Sequence, residues 1–122
     1  MIYILIPVFN RLNLTKSCIE SIKRNEKDVD LSIVLVDDGS SDGTTEWVQT
    51  TYPEITILQG TGSFFWGGAV HYGVEHILKI CSPNDYVLLV NNDVILADNT
   101  IRELVNFCKQ KNRLVVVGSV AL

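Results

Sequence analysis

Short apolar runs recur along the chain and are separated by longer segments of mixed polarity. The runs are mostly unbroken rather than alternating with polar residues, as expected for strands that are covered on both faces of a sheet. Several of them end directly before an asparagine, an aspartate or a glycine. We predict strands at Ile2–Val8, Leu31–Val36, Ile55–Leu58 and Tyr86–Val90, and a fifth that begins at Leu114–Val117.

The segments between these runs carry apolar residues at helical spacing, which predicts four helices. Pro53 would end the second helix, and Thr100 with Glu103 would form a capping box at the start of the fourth. The positions that define the helices are Leu14, Cys18 and Ile22; Trp47 and Val48; Val70, Val74, Ile77 and Leu78; and Ile101, Leu104, Val105 and Cys108.

Strands that alternate with helices predict an α/β fold, with a Rossmann-like parallel sheet, right-handed crossovers and helices on both faces. We interpret residues 1–122 as one domain. Ligands of such sheets bind at the carboxyl ends of the strands, beside the point where strand order reverses. Asn10, Asp38 and Asp93 all follow predicted strands there. No helix follows the fifth run, so we expect a truncated domain or a fragment of a longer enzyme.

Composition narrows the classes of partner. With 47% hydrophobic and 20% charged residues the chain can bury a core, and its net charge of -4 argues against a nucleic-acid partner. Three cysteines without a CxxC pair indicate neither a zinc site nor a disulfide framework, and they suit a reducing compartment. We expect a cytoplasmic location, with peripheral attachment at the inner face of the membrane as an alternative.

The segment LVDDGSSDGT, after the second predicted strand, is a first candidate site. Asp38 could accept hydrogen bonds from a ring N–H or a sugar hydroxyl, and Gly39 permits a tight turn. The alternative is that Asp38, Ser40, Ser41 and Asp42 only form a turn and cap the next helix.

The segment TGSFFWGGAVHYGV is a second candidate, because Gly67 and Gly68 lie near a predicted helix N-terminus that could offer free N–H groups to phosphate. It matches neither GxGxxG nor GK[ST]. The glycine pair could instead let Phe64, Phe65 and Trp66 pack. His71 and His76 are five positions apart in the sequence, a poor spacing for joint metal binding on a helix.

The segment NND, after the fourth predicted strand, is the third candidate. Asp93 is a hard oxygen ligand of the kind that Mg²⁺ or Mn²⁺ prefers, and the amide oxygens of Asn91 or Asn92 could assist. A single carboxylate binds such ions weakly, so substrate phosphates would have to complete the coordination shell. The alternative is that Asp93 is a turn residue.

In this order, ILIPVFNR, IVLVDDGSSDGT, WGGAVHYGV and YVLLVNNDV resemble the nucleotide-sugar-binding half of an inverting family 2 glycosyltransferase with the GT-A fold. The resemblance runs from residue 2 to about the end of the chain. The loop FFWGGAVHYG is similar to the rhamnosyltransferase-like branch, which builds bacterial surface polysaccharides. We therefore expect the strand order 3-2-1-4.

The resemblance implies a role for each matching position. Phe9 would lie against the nucleobase, Asp38 would accept a hydrogen bond from the base N3–H, and NND would occupy the place of the DXD metal motif. Asn91 replaces the leading carboxylate of that motif. Nucleotide binding is thereby assigned to Pro7, Phe9, Asp38, Gly67, Gly68 and Asn92, and metal binding to Asp93 and Asn91.

The implied activity is transfer of a sugar, with inversion, from a UDP- or dTDP-sugar to a saccharide acceptor with the help of Mn²⁺ or Mg²⁺. The family's catalytic base belongs to a C-terminal half, so no residue of this chain is assigned as catalytic and we expect donor binding. The apolar segment Leu114–Leu122 also predicts self-association through an unpaired strand edge.

Three other classes compete with this interpretation. A receiver domain would carry its acidic pair after strand one and a lysine after strand five, whereas this chain has Asp37 and Asp38 after strand two and ends in VVVGSVAL. A nucleotidyltransferase would need a glycine-rich loop with a basic residue after strand one, where Arg11 stands without glycines. An interaction domain is the third class.

Overall fold

The computed structural model of the chain describes residues 1–111. The predicted fifth strand and the predicted self-association segment lie outside this range. A 3₁₀ turn, Glu26–Asp28, follows the first helix. The strands are β1 (Ile2–Val8), β2 (Leu31–Asp37), β3 (Thr56–Gln59) and β4 (Tyr86–Leu89), and the helices are α1 (Leu12–Arg24), α2 (Thr44–Thr51), α3 (Phe65–Leu78) and α4 (Thr100–Lys111).

The four strands form one parallel sheet in the order β3-β2-β1-β4, which confirms the predicted fold class and strand order. The chain moves outward from β1 to β3 on one side and then crosses to β4 on the other side. The order therefore reverses between β1 and β4, and their carboxyl ends flank the switch point. Parallel sheets bind their ligands there.

Helices cover both faces of the sheet. One face, centred on Ile4 and Ile6, packs against α1, α2 and α4, and the opposite face, centred on Leu5, packs against α3. Gly73 allows α3 to lie close to the sheet, because a Cβ there would meet a Leu5 methyl carbon at 2.3 Å.

The edge strand β4 departs from the burial that its apolar run predicted. All seven residues of β1 are buried, whereas β4 alternates, and its Val87 and Leu89 are 47% and 40% exposed. Both are paired in register with the β1 residues that face α3, and α3 lies over β1 and β2 instead. The apolar sequence of β4 therefore predicts a strand, but it does not indicate which face of that strand a helix covers.

The start of α4 also differs from the prediction, because Thr100 and Glu103 form no capping box. The Thr100 hydroxyl donates to the Ala97 carbonyl at 2.7 Å. The backbone N–H of Ile101 donates instead to Oδ1 of Asn25, a buried side chain at the end of α1. A tertiary contact thus replaces the local cap.

Candidate functional site

A cleft of about 250 Å³ opens at the carboxyl edge of the sheet. It brings together four of the six residues predicted to bind nucleotide, whereas Gly67 and Gly68 lie beside it in the first turn of α3. The cleft is lined by Pro7, Val8, Phe9, Arg11, Asp38, Phe65, Trp66 and Asn92.

A larger cavity of about 400 Å³ lies at the opposite edge, where Asp30, Asn84 and Lys109 are among its lining residues. Asp30 and Asn84 lie where β2 and β4 begin rather than where they end, and Lys109 lies on α4. Size alone would favour this cavity, but the reversal of strand order and the convergent polar groups favour the carboxyl-edge cleft.

The neighbouring carboxylates Asp37 and Asp38 are both buried but hold different parts of the chain. Asp37 stabilises the turn that follows β2: its Oδ1 accepts the Ser40 N–H at 2.9 Å, and its Oδ2 accepts the Thr45 hydroxyl. Asp42 accepts the Thr44 N–H and hydroxyl at the start of α2, and the Thr44 hydroxyl bond is the main reason why the pKa of Asp42 is lowered. The turn-and-cap alternative therefore holds for Asp42, and Asp37, which that alternative did not include, stabilises the same turn.

Asp38 points away from that turn and holds the loop that precedes α3. Its Oδ1 accepts the Gly62 N–H at 2.8 Å, and its Oδ2 accepts the Phe65 N–H at 2.9 Å. Gly60 permits this close approach, because a Cβ at that position would lie 2.5 Å from Asp38 Oδ1. A buried carboxylate needs such donors to offset its desolvation, and each oxygen still has a lone pair for another donor.

Three aromatic rings border the cleft and remain open to solvent. Phe9, Phe65 and Trp66 are 59%, 79% and 56% exposed. The Trp66 indole Nε1–H donates to Asn91 Oδ1 at 2.8 Å, which links the start of α3 to the segment after β4. The sequence offered packing as an alternative role for Phe64, Phe65 and Trp66. This holds for Phe64, whose ring meets Tyr72 edge-on at 5.2 Å between centroids.

Arg11 adds a cation to the cleft, and sequence reasoning had not assigned it to the site. Asn10 and Arg11 adopt left-handed backbone conformations, with φ of 55° and 60°. Asn10 is tied to the turn after β2, since its N–H donates to Ser40 Oγ at 2.7 Å and its Oδ1 accepts the Ser41 N–H at 2.8 Å. In the part of the chain that the structure describes, Arg11 forms no ion pair.

The NND segment lies over α1. The Asn92 amide donates to the hydroxyl of buried Thr15 at 3.2 Å, and the Cys18 thiol contacts the Asn91 carbonyl at 3.6 Å. Burial, with a smaller contribution from the charge of Asp93, raises the pKa of Cys18 to about 12. This thiol therefore stays protonated at neutral pH and serves as a packing group rather than a nucleophile.

The carboxylate of Asp93 is exposed at this edge. Within residues 1–111 no three His, Cys, Asp or Glu side chains are grouped to hold a metal ion. The amide oxygen of Asn91 accepts from Trp66 and keeps one lone pair. Neither Asp93 nor Asn91, the two residues predicted to bind metal, is among the residues that line the cleft. One carboxylate and one amide oxygen do not form a metal cage, so an ion held here would need phosphate oxygens and water as its remaining ligands.

His71 lies on the exposed side of α3, where its Nε2 is 3.3 Å from a carboxylate oxygen of Glu75. Among the described residues, no helix has the length and apolar character needed to cross a bilayer.

The model of the family described as "Glycosyl transferase family 2" matches residues 3–122. Among curated proteins, the chain is 24% identical over 119 residues to the glycosyltransferase GlyG of Streptococcus pneumoniae serotype 4, covering 98% of this chain and 38% of that protein. It is 25% identical over 121 residues to the poly(ribitol-phosphate) beta-glucosyltransferase of Bacillus spizizenii, covering 96% and 18%. The chain therefore spans well under half the length of these relatives.

Two solved structures resemble the fold. S. aureus TarS 1-349 in complex with UDP-GlcNAc superimposes with a TM-score of 0.73 at 17% identity, over 91% of this chain and 32% of that one. The mannosyltransferase PcManGT from Pyrobaculum calidifontis, in complex with GDP-Man and Mn²⁺, gives a TM-score of 0.65 at 22% identity, over 88% and 31%. At these identities the likeness concerns the fold.

Proposed function

Because the chain belongs to glycosyl transferase family 2, we propose that it forms the donor-binding half of an inverting glycosyltransferase that acts in bacterial polysaccharide synthesis. The donor is a UDP- or dTDP-sugar, and the acceptor is a saccharide hydroxyl. The observation that carries the proposal is the convergence of Pro7, Phe9, Asp38 and Asn92 on one cleft at the switch point of the sheet.

The nucleobase occupies the part of the cleft between the end of β1 and Asp38. Phe9 offers its exposed ring for stacking, and Pro7 borders the base edge. Asp38 accepts the N3–H of uracil or thymine through a lone pair that its two backbone donors leave free. This hydrogen bond favours the two pyrimidine bases that carry an N3–H over cytosine, which has no proton at N3.

The ribose and diphosphate extend toward Gly67 and Gly68, in the first turn of α3, at the positive end of the helix dipole. The N–H groups of Phe65 and Gly68 already donate to Asp38 and to the Phe64 carbonyl, so the dipole and the lack of side chains at the two glycines support this placement. Asp93, assisted by the Asn91 amide oxygen, would hold the Mn²⁺ or Mg²⁺ ion that accompanies the diphosphate. A bound divalent cation stabilises the negative charge that grows on a nucleoside-diphosphate leaving group.

Inversion requires a base on the acceptor side of the sugar, and no residue of this chain is assigned that role. The acceptor hydroxyl attacks the anomeric carbon from the face opposite the leaving diphosphate, in one displacement. We therefore expect these 122 residues alone to bind donor without transferring sugar.

A thermal-shift panel tests the proposal directly. UDP and dTDP, each with Mn²⁺, should raise the melting temperature, because a ligand at a hundred times its Kd adds about 2.7 kcal/mol to the free energy of unfolding. CDP serves as the matched pyrimidine control and should stabilise the chain less. Failure of UDP, dTDP and GDP alike to shift the melting temperature would contradict donor binding.

A further inference from the structure

Two adjacent phenylalanines have opposite environments. The Phe64 ring packs edge-on against Tyr72, and the Cβ of Phe64 lies 3.2 Å from the position that a Cβ on Gly68 would take. The Phe65 ring is 79% exposed at the cleft. In the described part of the chain, neither Phe65 nor Phe9 makes a ring contact, so both rings are available to a ligand.

The exposure of Phe65 is imposed by its backbone. Its φ of 54° lies in the left-handed region that side chains other than glycine seldom adopt. The conformation is held by two hydrogen bonds to one buried carboxylate, from the N–H groups of Gly62 and Phe65 to Asp38. A strained residue that its surroundings hold in place at the rim of a cleft is a frequent feature of binding sites.

We propose that Phe65 provides a second stacking surface for the nucleobase, beside Phe9, and that Asp38 is the positioning residue that keeps it at the cleft. This inference rests on the proposed function and adds a binding residue that the sequence did not assign. Aromatic rings bind nucleobases through their faces and tolerate different bases. Phe65 would therefore contribute to the affinity for the nucleoside rather than to the choice between bases.

The test is calorimetry on the full 122-residue chain, with UDP, dTDP and GDP and then with the nucleoside of whichever diphosphate binds most tightly. Phe65→Leu keeps an apolar side chain of similar size but removes the aromatic face. It should weaken binding of the diphosphate and of its nucleoside by the same factor, roughly tenfold. Phe65→Tyr restores the ring and should restore both affinities.

Phe107→Leu is the matched control, since Phe107 is also an exposed ring, 43% accessible, but lies on α4 and outside the cleft. It should leave both affinities unchanged. If wild-type chain binds none of the three diphosphates, the proposed function and this inference both fall. If wild-type binds and Phe65→Leu binds equally well, only the role of Phe65 is overturned. If Phe65→Tyr is as weak as Phe65→Leu, the loss comes from loop geometry, and stacking is likewise overturned.

Discussion

The two carboxylates to which the proposal gives roles, Asp38 and Asp93, have different surroundings. Asp38 lines the cleft, is buried, and already accepts two backbone N–H groups, which fix the loop before α3. Asp93 is exposed and does not line the cleft, and no cluster of further metal-ligating side chains accompanies it within residues 1–111. Under the proposal, the base would bind to a loop that is already held in place, whereas a cation at Asp93 would take most of its ligands from the donor's phosphates and water. Substitution of Asp38 should therefore lower the affinity for the nucleoside, whereas substitution of Asp93 should change only the metal dependence of diphosphate binding.

Asp38→Ala should have the largest effect. It removes the proposed acceptor for the base N3–H, which costs about 1.5–3 kcal/mol of binding free energy, and it leaves the N–H groups of Gly62 and Phe65 without their partner. Calorimetry should record weaker binding of uridine and UDP alike. Asp42→Asn, in the same turn but outside the cleft, is the control. Unchanged uridine affinity in Asp38→Ala would limit Asp38 to a structural role.

Asp93→Ala removes the carboxylate proposed to bind the divalent cation. It should remove the Mn²⁺-dependent part of UDP binding, on the order of 2 kcal/mol for a carboxylate beside a divalent ion near the surface. Uridine, which carries no phosphate, should bind as before. Equal binding of UDP to wild-type chain in Mn²⁺ and in excess chelator would contradict the metal role of Asp93.

Asn91→Asp tests the proposed cation site by adding a carboxylate to it. A second carboxylate should strengthen Mn²⁺-dependent UDP binding by about 1 kcal/mol, because it adds a negative charge close to the cation. The Trp66 indole can still donate to the new side chain, so its contact need not be lost. Titration of UDP at several Mn²⁺ concentrations measures the gain. A weaker or metal-independent UDP affinity in this variant would count against a cation site here.

Asp42→Asn should have the smallest effect, a change in the free energy of unfolding that is visible only at acidic pH. The pKa of Asp42 is lowered in the folded chain from the ordinary value of 3.8, first by the Thr44 hydroxyl bond. A depressed carboxyl pKa stabilises the fold above the unfolded value, and this contribution is lost as pH falls through the lowered folded value. Urea unfolding of Asp42→Asn should therefore show a shallower loss of stability than wild type below about pH 4. Parallel pH profiles for the two proteins would refute the assignment.

The sequence predicted the central strands well and the edge strand less well. Burial on both faces leaves an unbroken apolar run, so β1 and β2 could be recognised locally. The half-exposed β4 carries a similar run, and its exposure depends on where α3 packs, which no local pattern records.

Contacts between distant parts of the chain also limited what the sequence could predict about single residues of the site. Strand ends identified Asp38 as a candidate, but its partners Gly62 and Phe65 lie 24 and 27 positions away, so their contact could not be foreseen. Phe64 and Phe65 have the same identity and nearly the same neighbours in sequence. Only the left-handed backbone at Phe65 sends one ring to the cleft while the other packs against Tyr72.

The most direct test of the central claim is to locate UDP on the chain by amide NMR during titration in Mn²⁺. We expect the signals of Phe9, Gly62, Phe65 and the Trp66 indole to shift together, because these groups surround or shape the carboxyl-edge cleft. Lys109, beside the larger cavity at the opposite edge, should not move. Shifts concentrated near Lys109, with the cleft signals unchanged, would contradict the account.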